Sequence, residues 1–243
     1  MFLFKRRWIL TTLLVAVAAA VMVRLGFWQL ARLAGKRAYI AQVTAALAAA
    51  PLALTGAETD LPADEYRNRP ATAKGEYDFE HEVLLKNQFF GNQPGYDLLT
   101  PFRLEGSEQA LLVDRGWVPL DAGAVGDLTA FQEVGKRQIE GRIEPADPRP
   151  RQAETIAGQQ KEWYRVDLEG IQAQTPYALL PFYLALTPSD DHTGLPNRNP
   201  PEIILDEGPH LGYAFQWFLF ALVVPIVYAV QVRRLDRKPG DGP

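Results

Sequence analysis

His210 opens the stretch His210-Leu211-Gly212-Tyr213-Ala214-Phe215-Gln216-Trp217, where one ligating side chain heads an aromatic stripe. Tyr213 and Trp217 follow it at a spacing that puts them on its own helical face. Pro209, just before it, suits the first turn of a helix. A neutral imidazole in such a place can ligate a haem iron through one ring nitrogen. It can equally cap the helix or hydrogen-bond to lipid headgroups. On spacing alone that plainer role weighs more, because one histidine is a weak haem signal. Trp28 and Gln29, at the far end of the first apolar run, lie at the matching depth. With Tyr213 and Trp217 they are expected to line a flat pocket beside His210.

Few other chemistries are open. The chain has no cysteine, three histidines and two methionines, so thiolate sites are excluded and a copper(I) site is poorly supplied. No Gly-x-Ser-x-Gly, phosphate loop or His-Glu-x-x-His occurs, and the expectation is that this is not an enzyme. Asp114-Arg115-Gly116-Trp117 is the densest polar cluster. It reads as a strand ending in a turn with an arginine–carboxylate pair. Between Ala38 and His210 stand 14 Lys/Arg against 27 Asp/Glu, while the remaining ends hold 11 against 2. So acidic a middle argues against a nucleic-acid partner.

Two apolar runs must position these residues. Trp8 to Val23 carries no charge and extends through Leu25-Gly26-Phe27-Trp28 to an interface. A cleaved signal peptide is the alternative, but the run continues past Ala18-Ala19-Ala20, which weighs for a retained anchor. Leu211 to Val232 is 22 residues without a formal charge and fits a full span, with Pro225 expected to kink or loosen a turn. Arg233, Arg234, Arg237 and Lys238 follow it, and Glu202, Asp206 and Glu207 precede it. By the positive-inside rule both termini are then cytoplasmic and the middle is extracytoplasmic, in a multi-pass protein of the cell inner (plasma) membrane. The expected organisation is a cytoplasmic 1–7, a span over 8–27, a juxtamembrane helix over 28–50, a β-rich domain over 51–209, a span over 210–232 and a cytoplasmic 233–243.

The middle reads as short strands over 71–77, 82–87, 97–104, 110–118, 137–143, 162–167, 180–186 and 202–205. A short helix is expected over 168–174, a linker over 51–62 and a loop over 190–201. Turn chemistry falls at Gly91-Asn92 with Pro94-Gly95 and at Glu105-Gly106-Ser107. Short turns between adjacent strands imply a mostly antiparallel sheet. The fold class is therefore an α+β membrane protein, with two transmembrane helices flanking a β-rich domain.

Four blocks resemble the Surfeit locus protein 1 family. Leu25-Gly26-Phe27-Trp28-Gln29-Leu30-Ala31-Arg32 is similar to the signature ending its first span. Gly95-Tyr96-Asp97-Leu98-Leu99-Thr100-Pro101-Phe102 resembles its strand ending in Thr-Pro-Phe. Leu111 to Pro119 resembles its strand ending in Arg-Gly-Trp/Phe-Val-Pro. His210 to Phe218 resembles the block opening its second span. The resemblance implies an assembly factor, or chaperone, for haem–copper cytochrome c oxidase that binds haem a and assists its insertion into subunit I, with haem a synthase as a further partner. It carries haem-iron ligation onto His210 and functional importance onto Gly26, Trp28 and Gln29, and Arg32, Lys36 and Arg37 fit the basic residues that follow that block. Many relatives have Asn or Glu before the histidine. Here Gly208-Pro209 removes that possible polar partner. A scaffold that stabilises oxidase intermediates without binding haem is the competing reading.

Overall fold

The computed structural model describes residues 5–58, 62–121, 128–146, 160–190 and 192–237, apart from the Arg237 side chain. Residues 1–4 and 238–243 of the expected cytoplasmic ends, 59–61 of the expected linker and Asp191 of the expected loop lie outside these. The chain forms two compact units, residues 1–42 with 204–243 and residues 43–203.

The first unit is a helix pair. Helix α1 runs Ile9–Leu47 without interruption, so the expected change from span to juxtamembrane helix at residues 27 and 28 coincides with no break. Alanine and leucine throughout favour the helical state, and α1 ends shortly before Pro51, which disfavours helix in the residue preceding it. Helix α3, His210–Arg237, passes through Pro225 and remains helical. Both helices are long and apolar enough to cross a membrane. Their apolar windows are almost wholly exposed, unlike the core helix of a water-soluble protein, which hides its apolar face.

The second unit is a barrel-like sheet. Its strands are β1 (Leu52–Leu54), β2 (Pro70–Tyr77), β3 (Val83–Phe90), β4 (Gln93–Leu104), β5 (Ala110–Pro119), β6 (Arg137–Pro145), β7 (Glu162–Trp163) and β8 (Leu179–Leu186), with the one-turn helix α2 (Leu168–Gln172) between β7 and β8. The order is β1-β2-β6-β8-β5-β4-β3-β7, and an additional β2–β4 pairing closes the circuit β2-β6-β8-β5-β4. Among the described residues five strand pairings are antiparallel, and three, β1–β2, β3–β7 and β5–β8, are parallel. Two of the parallel pairs, β3–β7 and β5–β8, join strands distant in sequence, which adjacency and short turns cannot reveal, while β1 and β2 are consecutive but joined by a connection too long for a hairpin.

Alternation decides what faces inward. Ala71, Ala73 and Tyr77 of β2, Phe102 and Leu104 of β4, Leu111 and Val113 of β5, and Phe182 and Leu184 of β8 fill the interior. On the outer side Leu99, Ala110, Leu112 and Leu179 pack under Trp163, Val166 and Ile171. Strand β5 is therefore buried on both faces, and its apolar run is interrupted by Asp114 and Arg115.

Several elements depart from expectation at their edges. Gly91-Asn92 alone makes the hairpin turn, with Gly91 at a φ of 58°, and Pro94-Gly95 lies inside β4. Gly95 is needed there because a Cβ would lie 2.4 Å from the Trp117 indole nitrogen. The expected linker contains β1. The strand expected over 162–167 stops at Trp163, and Asp167 instead caps α2, accepting from the Gly170 N–H at 3.0 Å. The strand expected over 202–205 does not form. Pro200 and Pro201 remove two ladder donors just before it, and Ile204 and Leu205 stay exposed.

Candidate functional site

Within the helix pair, α1 and α3 run antiparallel, because their contacts occur in reverse order. Lys5 and Arg7 pair with Asp236 at one end. Next, the Tyr228 hydroxyl meets Thr11 and Thr12, each at 2.8 Å. Gly26 faces Phe218, and Phe27 packs edge-on against the same ring at 5.3 Å. His210 then meets Gln29, and Arg37 makes a two-pronged pair with Glu207, both bonds 2.9 Å.

The His210–Gln29 contact holds the chemistry. His210 Nδ1 lies 2.8 Å from Gln29 Oε1. The amide oxygen only accepts, so Nδ1 carries the proton and the Nε2 lone pair is left for another partner. Among the described residues nothing hydrogen-bonds Nε2. The polar partner that Gly208-Pro209 removed thus comes from the other helix, 181 positions away in the chain. Gly208, at a φ of 72°, turns the chain into the helix, and Tyr213 N–H donates to the Pro209 carbonyl at 3.1 Å.

Gly26 explains how the helices come this close. A Cβ there would lie 2.6 Å from Phe218 Cε1, so any larger residue must push the ring aside. The aromatic residues are arranged less compactly than the pocket expected from sequence. Trp28 and Tyr213 are each about half exposed, and Trp217 packs edge-on with Phe220 of its own helix, 6.4 Å between centroids. The structure brings Gln29 to His210. Among the described residues no ring contact joins Trp28 to Tyr213 or Trp217.

The barrel holds a polar network that spacing did not disclose. Arg115 projects to the same side as Leu111 and Val113 and is fully buried. Its Nη1 donates to Glu82 Oε2 at 2.7 Å, and Nη2 donates to the Phe131 carbonyl. The Thr100 hydroxyl also donates to Glu82. The guanidinium lies 5.0 Å from the ring centres of both Tyr77 and Phe79, a cation–π setting. The arginine–carboxylate pair read from the sequence therefore exists, in the interior of a strand that continues to Pro119. Glu82 stands 33 positions from Arg115 and 18 from Thr100 in the sequence, beyond the reach of a motif. Gly116 adopts a φ of 116° and allows the Asn197 backbone to lie against it. There Trp117 and Asn197 exchange two backbone hydrogen bonds, 2.9 and 2.7 Å.

On the other face of β5, burial drives Asp114 well above the ordinary carboxylate range, opposed by the Gly116 N–H it accepts and reinforced by Glu144. Burial, with Asp114 beside it, raises Asp97 likewise. A third polar group joins Asp78, Glu80 and His81. Burial raises Asp78, but the Tyr177 hydroxyl at 2.7 Å, the His81 ring at 2.9 Å and the Glu80 N–H outweigh it and hold the carboxylate low. Its oxygens are committed to this cap.

A family model described as the SURF1 family matches residues 16–222. The chain is 27% identical over 257 residues to a SURF1-like protein of Mycobacterium tuberculosis, covering 100% of this chain and 91% of that one. It is 24% identical over 230 residues to a SURF1-like protein of Rickettsia felis, with 93% and 98% covered. With a SURF1-like protein of Monosiga brevicollis the identity is 25% over 224 residues, with 89% and 85% covered. The matched span takes in Gly26, Gln29, the whole barrel, His210 and Phe218, so the closely apposed helix pair and the Arg115 network fall inside one shared sequence: the chain belongs to the SURF1 family.

Proposed function

We infer that this protein is an assembly factor for haem–copper cytochrome c oxidase, binding haem a at His210 and assisting its insertion into subunit I, with haem a synthase as the source. The His210–Gln29 hydrogen bond carries this reading. It fixes the imidazole tautomer, points Nδ1 at a protein oxygen and leaves Nε2 available. Metal-bound histidines are generally held this way, through the second ring nitrogen. Haem a, when bound, supplies an iron that accepts one axial nitrogen. In this reading His210 ligates, Gln29 positions its ring, and the half-exposed Trp28 and Tyr213 offer flat apolar surface to a macrocycle. One protein ligand on an open helix surface suits a carrier that must release its cargo. Flanking charge supports a membrane orientation with both termini in the cytoplasm and the barrel outside.

The test is the absorption spectrum of the full chain, solubilised in detergent from cells that make haem a. Wild type is expected to retain haem a and His210→Ala to lose it. Gln29→Leu keeps the ligand but not its positioning partner, and should weaken retention by about 10–100-fold. Equal haem in wild type and His210→Ala would sink the ligand assignment. If none of the three carries haem while subunit I still co-purifies, the protein is a scaffold that stabilises oxidase intermediates.

A further inference from the structure

Glu133 is the meeting point of four basic side chains in the barrel unit. Arg137 Nη1 donates to it. Arg198 Nη2 reaches both its oxygens at 3.3 Å. Arg115 Nη2 lies 3.9 Å away and His192 Nδ1 3.8 Å away. Only Glu82 shares the load, on Arg115. Among the described residues, three guanidiniums are thus answered by two carboxylates, and one positive charge is left over before His192 is counted.

The donors are in excess as well. Among the described residues, Arg115, Arg137 and Arg198 each keep a buried Nε with no partner, and the Tyr77 hydroxyl is buried without one. Tyr77 belongs to the same cluster. Its ring lies 5.0 Å from the Arg115 guanidinium and 5.7 Å from that of Arg137. Burial raises its hydroxyl pKa, Glu133 adds to the shift, and Arg115, Arg198 and Arg137 oppose it. Buried donors without partners are costly and call for a bound group to explain them. Guanidinium forks are matched in shape and charge by carboxylate and phosphate oxygens. The cluster is not sealed: the side chain of Arg137 keeps 30% of its exposure, against none for Arg115.

We propose that Arg115, Arg137, Arg198, His192 and Tyr77 form an oxyanion-binding site next to Glu133, able to take a carboxylate or phosphate group. This stands apart from the haem reading, since every one of its residues lies in the barrel unit.

The experiment is thermal unfolding of the full chain in detergent, followed by near-ultraviolet circular dichroism. Phosphate and acetate are each titrated against chloride at matched ionic strength. Wild type should show a saturable rise in melting temperature with an oxyanion and none with chloride. Arg198→Gln should weaken that response by about tenfold, the value of one charge-assisted hydrogen bond. Glu133→Gln removes a competing carboxylate, so it should melt lower in chloride and recover in the oxyanion, with tighter apparent binding than wild type. A response to phosphate alone assigns a phosphate group, to acetate alone a carboxylate, and to both the shared class. If neither ion outdoes chloride on wild type and on Glu133→Gln, the proposal is wrong, and Glu133 alone completes the cluster. Should Arg198→Gln fail to fold, the Glu133→Gln rescue decides.

Discussion

The helix pair and the barrel each close on a polar contact, and the two contacts are built on opposite terms. In the helix pair, uncharged Gln29 meets His210 through one hydrogen bond, which engages a single ring nitrogen. In the barrel, Arg115 is fully buried and committed to Glu82, the Phe131 carbonyl and two aromatic faces. An interhelical hydrogen bond in a membrane contributes about 0.6 kcal/mol on average, so altering it should leave the fold standing. A buried ion pair that loses one partner exposes the fold to the full cost of an uncompensated charge. The difference teaches where function and stability can be separated: the helix contact carries little structural burden, whereas Arg115, even with its Nε unpaired among the described residues, is bound into the buried core of the barrel.

The most severe way to break the comparison is Arg115→Met. It leaves Glu82 buried with only the Thr100 hydroxyl. The barrel should lose about 3–5 kcal/mol, read as a large drop in the melting temperature of the near-ultraviolet signal. Replacing Glu82 as well, in Arg115→Met/Glu82→Leu, should recover much of that loss, because a well-packed apolar pair can match a buried ion pair. If the single substitution leaves the melting temperature unchanged, the pair is not what holds that end of the barrel.

Gly26→Leu sharpens the comparison from the other side. Its side chain must displace the Phe218 ring, at a cost of about 1–3 kcal/mol for overpacking, and should separate Gln29 from His210 without touching either. The chain has no cysteine, so Arg37→Cys/Glu207→Cys gives a clean reporter of helix apposition. Cross-linking by a short bis-maleimide, which spans the gap that the two long native side chains fill, should be efficient in the Gly26 background and poor with Gly26→Leu. Equal cross-linking in both would show that close approach at Gly26 does not govern the pair.

What the sequence disclosed follows the same division. Apolar run length and flanking charge announced two helices, because these are local properties. Their common depth put Gln29 and His210 side by side before any coordinates. The alternation of Ala71, Ala73 and Tyr77 and the Gly91-Asn92 turn made most strands readable. The closure of β2 on β4, the parallel β5–β8 pairing and the convergence of Glu82, Thr100, Glu133 and Arg198 on one barrel end were not readable. Each depends on residues far apart in the chain that share no motif. Glu133 in particular stands in no strand and carries no signature, and its role arises only when the barrel gathers Arg115, Arg137 and Arg198 around it.

The mildest test concerns two carboxylates on neighbouring strands, Asp97 of β4 and Asp114 of β5. Burial holds both Asp97 and Asp114 protonated to higher pH than in the unfolded chain. The folded state therefore binds these protons more tightly, and stability declines as pH climbs from the ordinary carboxylate range toward neutrality and above. Asp78 has the opposite sign: its carboxylate is held low, so its contribution is present at neutral pH and is lost only in acid. The two effects occupy different windows and can be told apart in one titration. Asp97→Asn should remove the Asp97 share of the decline, leave that of Asp114, and melt about 2–4 °C above wild type at pH 8, roughly the shift that 1 kcal/mol makes in a domain of this size. At pH 4 wild-type Asp97 is itself protonated, so the two proteins should coincide. Tyr177→Phe, which removes a hydrogen bond to Asp78, should instead lower stability at pH 8, where the carboxylate is charged, and shrink the loss that follows acidification. A decline between pH 4 and pH 8 as large in Asp97→Asn as in wild type would show that Asp97 does not contribute to it.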